Sequence, residues 1–210
     1  IFHLKSMIAN LRAQGRTVAL YVDLHGHSRR KNVFMFGCHG PRPAPIALEE
    51  TLETAACPST AAAADKGTTE ATSVALQQCC LAPGEEAPAT RIVQFVPRVM
   101  RALNSHFSTD DGSYKMQRGK EGCARMAAYQ ELGLLHAFTV ESSYCGPSSA
   151  DASGTLYHFD TDDLRDMGAT LAGAAHILMD PGHELHSATV ADIAAAYPND
   201  PALQVDLGAC

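Results

Sequence analysis

The spacing of hydrophobic and polar positions changes several times along this chain. In Leu4–Ala13 the apolar residues Leu4, Ile8 and Leu11 recur at helical spacing, and Gly15 supplies a stop signal. Thr17–Leu24 (TVALYVDL) is rich in β-branched and apolar residues, the pattern of a buried strand. Val33–Gly37 (VFMFG) predicts a second, shorter strand. Helical spacing returns in RIVQFVPRVMRALN after Arg91, with Pro97 expected to start or kink a helix. Asp110-Asp111-Gly112 reads as a turn. Glu121–Leu132 predicts a helix stopped by Gly133, and Ala137–Glu141 (AFTVE) a buried strand ending in a carboxylate. Asp160–Met179 predicts an amphipathic helix capped by Asp160 or Thr161. A short helix near Ala191–Tyr197 and a loose end complete the reading.

Between Pro41 and Thr90 the composition shifts to Ala, Thr, Pro and Glu, with no aromatic residue. Such a stretch can bury little, so a disordered or loosely ordered insertion is expected, with room for a helix over Ile46–Ala56. Outside it, strands alternate with helices. That alternation predicts an α/β domain with a mixed β-sheet flanked by helices, and such sheets bind ligands at the carboxyl ends of their strands. The expected organisation is one domain over residues 1–180, interrupted at about 41–90, followed by a C-terminal extension over 181–210.

Charge and cysteine content narrow the function classes. With 210 residues and a net charge of −7, a broad phosphate-binding surface is not expected, so nucleic acid is not the expected partner. No apolar run approaches the roughly 18 residues of a transmembrane helix, so no membrane partner is expected. The first residues are amphipathic rather than a signal peptide, and the chain lacks an initiator Met. It is therefore expected to begin inside a longer protein. Seven cysteines form no C-x-x-C pair, which favours free thiols in a reducing compartment over a cysteine-built zinc cluster.

Candidate chemistry sits at two strand ends. The first is YVDLHGHSRRKNVFMFGC, where His25 and His27 flank Gly26 and Asp23 precedes them. A pair of histidines there could ligate a metal or form ordinary hydrogen-bonded loop residues, and Asp23 could orient one of them. The second is Glu141, placed after an apolar strand. It could take a proton from a metal-activated water, or cap or pair with a neighbouring group. KMQRGKEGCAR supplies four positive charges against one glutamate, including Lys120 and Arg125. With Arg29, Arg30 and Lys31 it could form a basic pocket for a carboxylate-rich substrate, or a solvated face.

Taken together, DLHGHSRRKNVFMFGC, KEGCARM, ELGLLHAFTVESSYCG and LYHFDTDDLRDMGATL resemble, in order, the cytosolic carboxypeptidases, a branch of the zinc metallocarboxypeptidases. The resemblance runs from about Ile1 to Met179, interrupted by the insertion. It implies a phosphorylase/hydrolase-like α/β fold and removal of C-terminal glutamates from tubulin tails and other glutamylated or acidic-tailed proteins. It implies one Zn2+ ion held in part by His25, with Glu141 as the catalytic base and proton donor. Arg125 would then meet a substrate carboxylate, with Lys120, Arg29 and His27 as site neighbours. It also implies a cytoplasmic, microtubule-associated setting. The family's first two zinc ligands lie in an upstream H-x-x-E motif, and no histidine here has glutamate at the third following position. Gly122-Cys123 also stands where many relatives have Ser-Thr. The expectation is a C-terminal part of the catalytic domain, inactive alone. The competing readings are a non-catalytic relative that binds acidic tails and a zinc amidohydrolase acting on small acylated amino acids.

Overall fold

The computed structural model describes residues 1–40, 42–43, 86–87, 91–116, 119–120, 122–151, 153–200 and 203. Four strands form a mixed sheet: β1 (Leu20–His27), β2 (Val33–Phe36), β5 (Phe107–Ser113) and β6 (His136–Ser143), in the order β1-β6-β2-β5. β1 runs parallel to β6, β6 antiparallel to β2, and β2 parallel to β5. Two further short strands, β3 (Arg42–Pro43) and β4 (Glu86–Ala87), pair antiparallel and bring the two ends of the Ala-rich insertion together. The helix expected over Ile46–Ala56 lies outside the described residues, as does the expected disorder there.

The helices are α1 (Phe2–Ala13), α2 (Phe95–Leu103), α3 (Ala124–Gln130), α4 (Thr161–Met179) and α5 (Glu184–Ala196), with a 3₁₀ turn over Arg91–Gln94 before α2. Successive strand residues point to opposite faces of a sheet. On one face Leu24 and Val140 line a cavity of about 140 Å³ with Met100 of α2 and with Leu164 and Met167 of α4. On the other, Arg125 of α3 reaches Thr139 of β6. Helices therefore cover both faces, as the sequence predicts. The core is built from Phe34, Phe95, Val96, Val99, Phe107 and Phe138, all buried. Each contributes about 1.5–3 kcal/mol by leaving water.

Local chemistry explains most boundaries. Pro97 is the third residue of α2, inside the first turn, where its missing N–H costs no helical bond. Asp160 caps α4 with a full capping box: its carboxylate accepts the N–H groups of Asp162 and Asp163, and the Asp163 side chain accepts the N–H of Asp160. Those backbone donors hold the Asp160 carboxyl below the usual carboxylate range.

Two expectations change. Asp110-Asp111-Gly112 lies within a strand: the β2–β5 register jumps from Phe34↔Ser108 to Phe36↔Ser113, so the turn-like residues are taken up as a bulge. Gly112 permits that bulge, because a Cβ there would stand 2.5 Å from the carbonyl oxygen of Met35. The final helix starts at Glu184, earlier than the expected Ala191, because the His183 ring accepts the N–H of Leu185 at 3.1 Å and caps it. Ile193 of this helix is fully buried, so α5 is part of the core.

Phe138 lies at the centre of the sheet and is fully buried. Phe138→Ala should destabilise the chain by about 3–5 kcal/mol. Urea unfolding followed by far-UV circular dichroism measures this. An unchanged midpoint would contradict the assigned core.

Candidate functional site

The site is a consequence of strand pairing. In the parallel β1–β6 ladder, His25 is the direct partner of Glu141 and Asp23 the partner of Thr139. Residues opposite one another share a face, and so do residues two apart on one strand. Asp23, His25, Thr139 and Glu141 thus stand on the same side at the carboxyl end of both strands. This is where the sequence puts its two candidate groups, and the structure brings them together.

His25 is half-exposed, and its Nε2 lies 2.9 Å from Asp23 Oδ2. In the neutral ring, Nε2 donates to the carboxylate and Nδ1 keeps its lone pair. A histidine fixed by a carboxylate through one nitrogen, with the other available, is the arrangement found behind metal-ligating imidazoles. Asp23 is the orienting group anticipated for it. One imidazole does not make a site, however. A catalytic zinc takes three protein donors, and among the described residues no three His, Cys, Asp or Glu side chains are grouped to hold a metal. The described residues fit one ligand of a zinc site and do not fit a complete one.

Arg125 lies on the same face. It is buried, its Nη1 donates to Thr139 Oγ1 at 2.8 Å, and its guanidinium sits 5.6 Å from the centre of the Phe36 ring. Thr139 precedes Glu141 by two residues, so the two anchor points are about 7 Å apart along the strand. Among the described residues Arg125 Nε has no hydrogen-bond partner. Thr139 and Phe36 escaped the sequence reading. The one signal for Thr139 was its spacing of two from Glu141 in AFTVE.

The remaining candidates are placed differently. His27 Nδ1 accepts the backbone N–H groups of Arg29 and Arg30 at 3.2 and 3.0 Å, and its ring packs edge-on against Phe34. It shapes the turn after β1. Arg29 is exposed in that turn and Lys120 is exposed just before α3. Arg30 packs its guanidinium over Phe34 and bonds to the backbone of Asp111. Tyr144 is a further residue at this end of the sheet that sequence reasoning missed. Its N–H donates to His27 O at 3.0 Å, and its ring lies against Gly26, where a Cβ would come within 2.3 Å of it. The Gly between two histidines was the available clue: it marks a close approach, not only a bend.

Beside Arg125, Cys38 is fully buried, with its Sγ 3.4 Å from Met126 Sδ. Burial pushes its thiol up to about 11. At pH 8 only about one molecule in a thousand carries the thiolate at that position. Brief iodoacetamide treatment of the native chain at pH 8 should therefore modify the exposed Cys145 and spare Cys38. Peptide mass spectrometry reads this, and equal labelling would mean that the core beneath Arg125 is open.

No protein-family model matches the chain. It is similar to "Cytosolic carboxypeptidase 1" of Danio rerio, 31% identical over 169 residues, covering 80% of this chain and 12% of that protein. It is also similar to "Cytosolic carboxypeptidase 4" of Mus musculus, 28% identical over 170 residues, with the same coverage of each. The chain thus spans 12% of the length of these two curated relatives. Among solved structures, a metallo-carboxypeptidase from Burkholderia cenocepacia aligns with a TM-score of 0.44 and 12% identity, over 83% of this chain and 33% of that one. Likeness to cytosolic carboxypeptidases over four-fifths of the chain joins a parallel ladder that sets an imidazole beside a carboxylate, and the chain belongs to the cytosolic carboxypeptidase family.

Proposed function

We propose that this chain is a working part of a zinc metallocarboxypeptidase that removes glutamates from the C-termini of acidic or polyglutamylated proteins, tubulin tails among them. The observation that carries the reading is the pairing of His25 with Glu141 in the β1–β6 ladder. His25, oriented by Asp23, serves as one donor to zinc, and the other two donors come from outside the described residues. A zinc held there supplies Lewis acidity toward the scissile carbonyl. Glu141 takes a proton from the attacking water and delivers it to the leaving amine. Arg125 offers its Nε, which has no partner among the described residues, to a carboxylate of the substrate, a charge-assisted bond in a buried place. The exposed Arg29 and Lys120 add positive potential for an acidic tail. No helix among the described residues is long and apolar enough to cross a membrane. Action in the cytoplasm, at or near microtubules, is part of the proposal.

The test uses the full-length protein that contains this chain, a peptide ending in glutamate, and a zinc assay. Glu141→Gln should lower kcat by about 10²–10⁴-fold, since general acid–base catalysis is worth that much, while zinc content stays as in the wild type. A Glu141→Gln protein with normal turnover would sink the assignment.

Arg125→Met should lower kcat/KM for the glutamate-ending peptide by about 10- to 100-fold, the worth of a hydrogen bond to a charged group. Peptides ending in a neutral residue should lose less. An equal loss on both would assign Arg125 to the fold or to the terminal carboxylate.

One observation favours a second reading. The described residues hold a single imidazole at the site, as a non-catalytic relative that binds acidic tails would. A full-length protein without zinc, whose peptide binding weakens as salt rises, would establish that reading instead.

A further inference from the structure

We propose that Asn32 is a positioning residue of the site, clamping the end of β6 so that Glu141 is held against His25. The proposal rests on the carboxypeptidase reading for its functional part and on geometry for the rest. Asn32 lies in the turn between β1 and β2 with φ of 69°, a left-handed conformation that asparagine adopts more readily than other side-chain-bearing residues. All four of its hydrogen-bonding groups are engaged, three by the segment Ser143–Ser148 and one by Asp111 of β5. Its N–H donates to Gly146 O at 2.9 Å, and its carbonyl accepts the N–H of Ser143 at 3.0 Å. Its Oδ1 accepts the N–H of Ser148 at 2.7 Å, and its Nδ2 donates to Asp111 Oδ2 at 3.0 Å.

The segment thus gripped begins two residues after Glu141. Within it, Ser143 Oγ accepts the N–H groups of Cys145 and Gly146, so the turn is closed from inside as well. On the other side, Asp111 belongs to β5, and the Asn32 amide is the main reason its carboxyl sits below the usual carboxylate range. The Asn32 backbone therefore holds Ser143, the last residue of β6, and Gly146, while its side chain ties Ser148 of the segment that follows β6 to Asp111 of β5. The adjoining ladder pairs, Val33↔Ser142 and Phe34↔Glu141, inherit that restraint. Asn32 touches no reacting atom. It acts through the backbone that carries Glu141.

Asn32→Gly tests this, because glycine keeps the positive φ and removes only the amide. In the full-length protein cleaving a glutamate-ending peptide, kcat should fall about 10- to 100-fold, the scale of a small misplacement, with KM within about twofold. Asn32→Asp keeps an acceptor for Ser148 but sets a carboxylate against Asp111, and the pair regains its bond only by sharing a proton. Its kcat relative to Asn32→Gly should therefore rise as pH falls from about 8 to about 5.5. Amide exchange at Ser148, whose N–H loses its acceptor, should quicken about tenfold or more in Asn32→Gly, while Ser143, still bonded to the residue-32 backbone carbonyl, should change less. Wild-type kcat in Asn32→Gly, or a flat pH ratio, overturns the proposal even if exchange quickens. If the wild-type protein does not cleave the peptide, the carboxypeptidase reading fails by itself. Exchange then decides the clamp: quickened exchange upholds it, and unchanged protection at Ser148 overturns it.

Discussion

The parallel register between β1 and β6 is the constraint on which the rest of this molecule depends. Eight consecutive pairs run from Leu20↔His136 to His27↔Ser143. Because side chains alternate with a period of two, a slip of one residue would turn His25 to the face opposite Glu141 and expose Leu20 and Val22 in exchange. The register is held by burial, not by the site. His136, Ala137, Phe138, Thr139 and Val140 are all buried, and on the other side of β6 the antiparallel pairs Phe34↔Glu141 and Phe36↔Thr139 set two aromatic rings on the site face. At about 1.5–3 kcal/mol per buried apolar side chain, this packing outweighs anything the polar groups contribute. The site is positioned by the core beneath it.

That dependence explains what the sequence could tell. His25 and Glu141 were legible because each ends an apolar strand, and a polar group at such an end is conspicuous. The capping of α4 by Asp160 was legible because a capping box is local. The pairing of the two strands was not, since it joins residues 116 positions apart through a register that only tertiary packing sets. β5 was hidden by Asp110-Asp111-Gly112, residues with turn preferences that the structure absorbs as a bulge on an edge strand. α5 was underestimated because a histidine caps it, and histidine is not among the residues read as a cap. Asn32 and Thr139 were overlooked for a related reason: their value lies in partners distant in sequence, Asp111 and Ser148 for one and Arg125 for the other.

The placement of His27 separates two meanings of a polar residue near a site. His25 and His27 look equivalent in DLHGHS, two positions apart around a glycine. Their surroundings differ. His25 faces a carboxylate and keeps one nitrogen available, while His27 spends its Nδ1 on two backbone N–H groups of the following turn. With the Nδ1 lone pair spent on two backbone donors, the neutral His27 ring carries its proton on Nε2, so neither nitrogen offers a metal a free lone pair, whereas His25 keeps one on Nδ1.

Arg125 makes the same argument in energetic terms. Burying a guanidinium is costly unless its charge is met. Among the described residues its neighbours are neutral: the Thr139 hydroxyl, the Phe36 ring, and Cys38, whose thiol stays protonated because burial pushes it up to about 11. A fold that sought only stability at this place would set a carboxylate against the arginine or replace it with an apolar side chain. A cation with no carboxylate partner among the described residues, on the face that carries Glu141 and within about two strand residues of it, lowers the cost of bringing an anion there. A single imidazole is likewise a weak metal site alone, and its affinity is coupled to whatever supplies the remaining donors. Among the described residues both groups are therefore costly or incomplete, and a bound anion or metal would complete them. That is the physical signature expected of a site rather than of a scaffold.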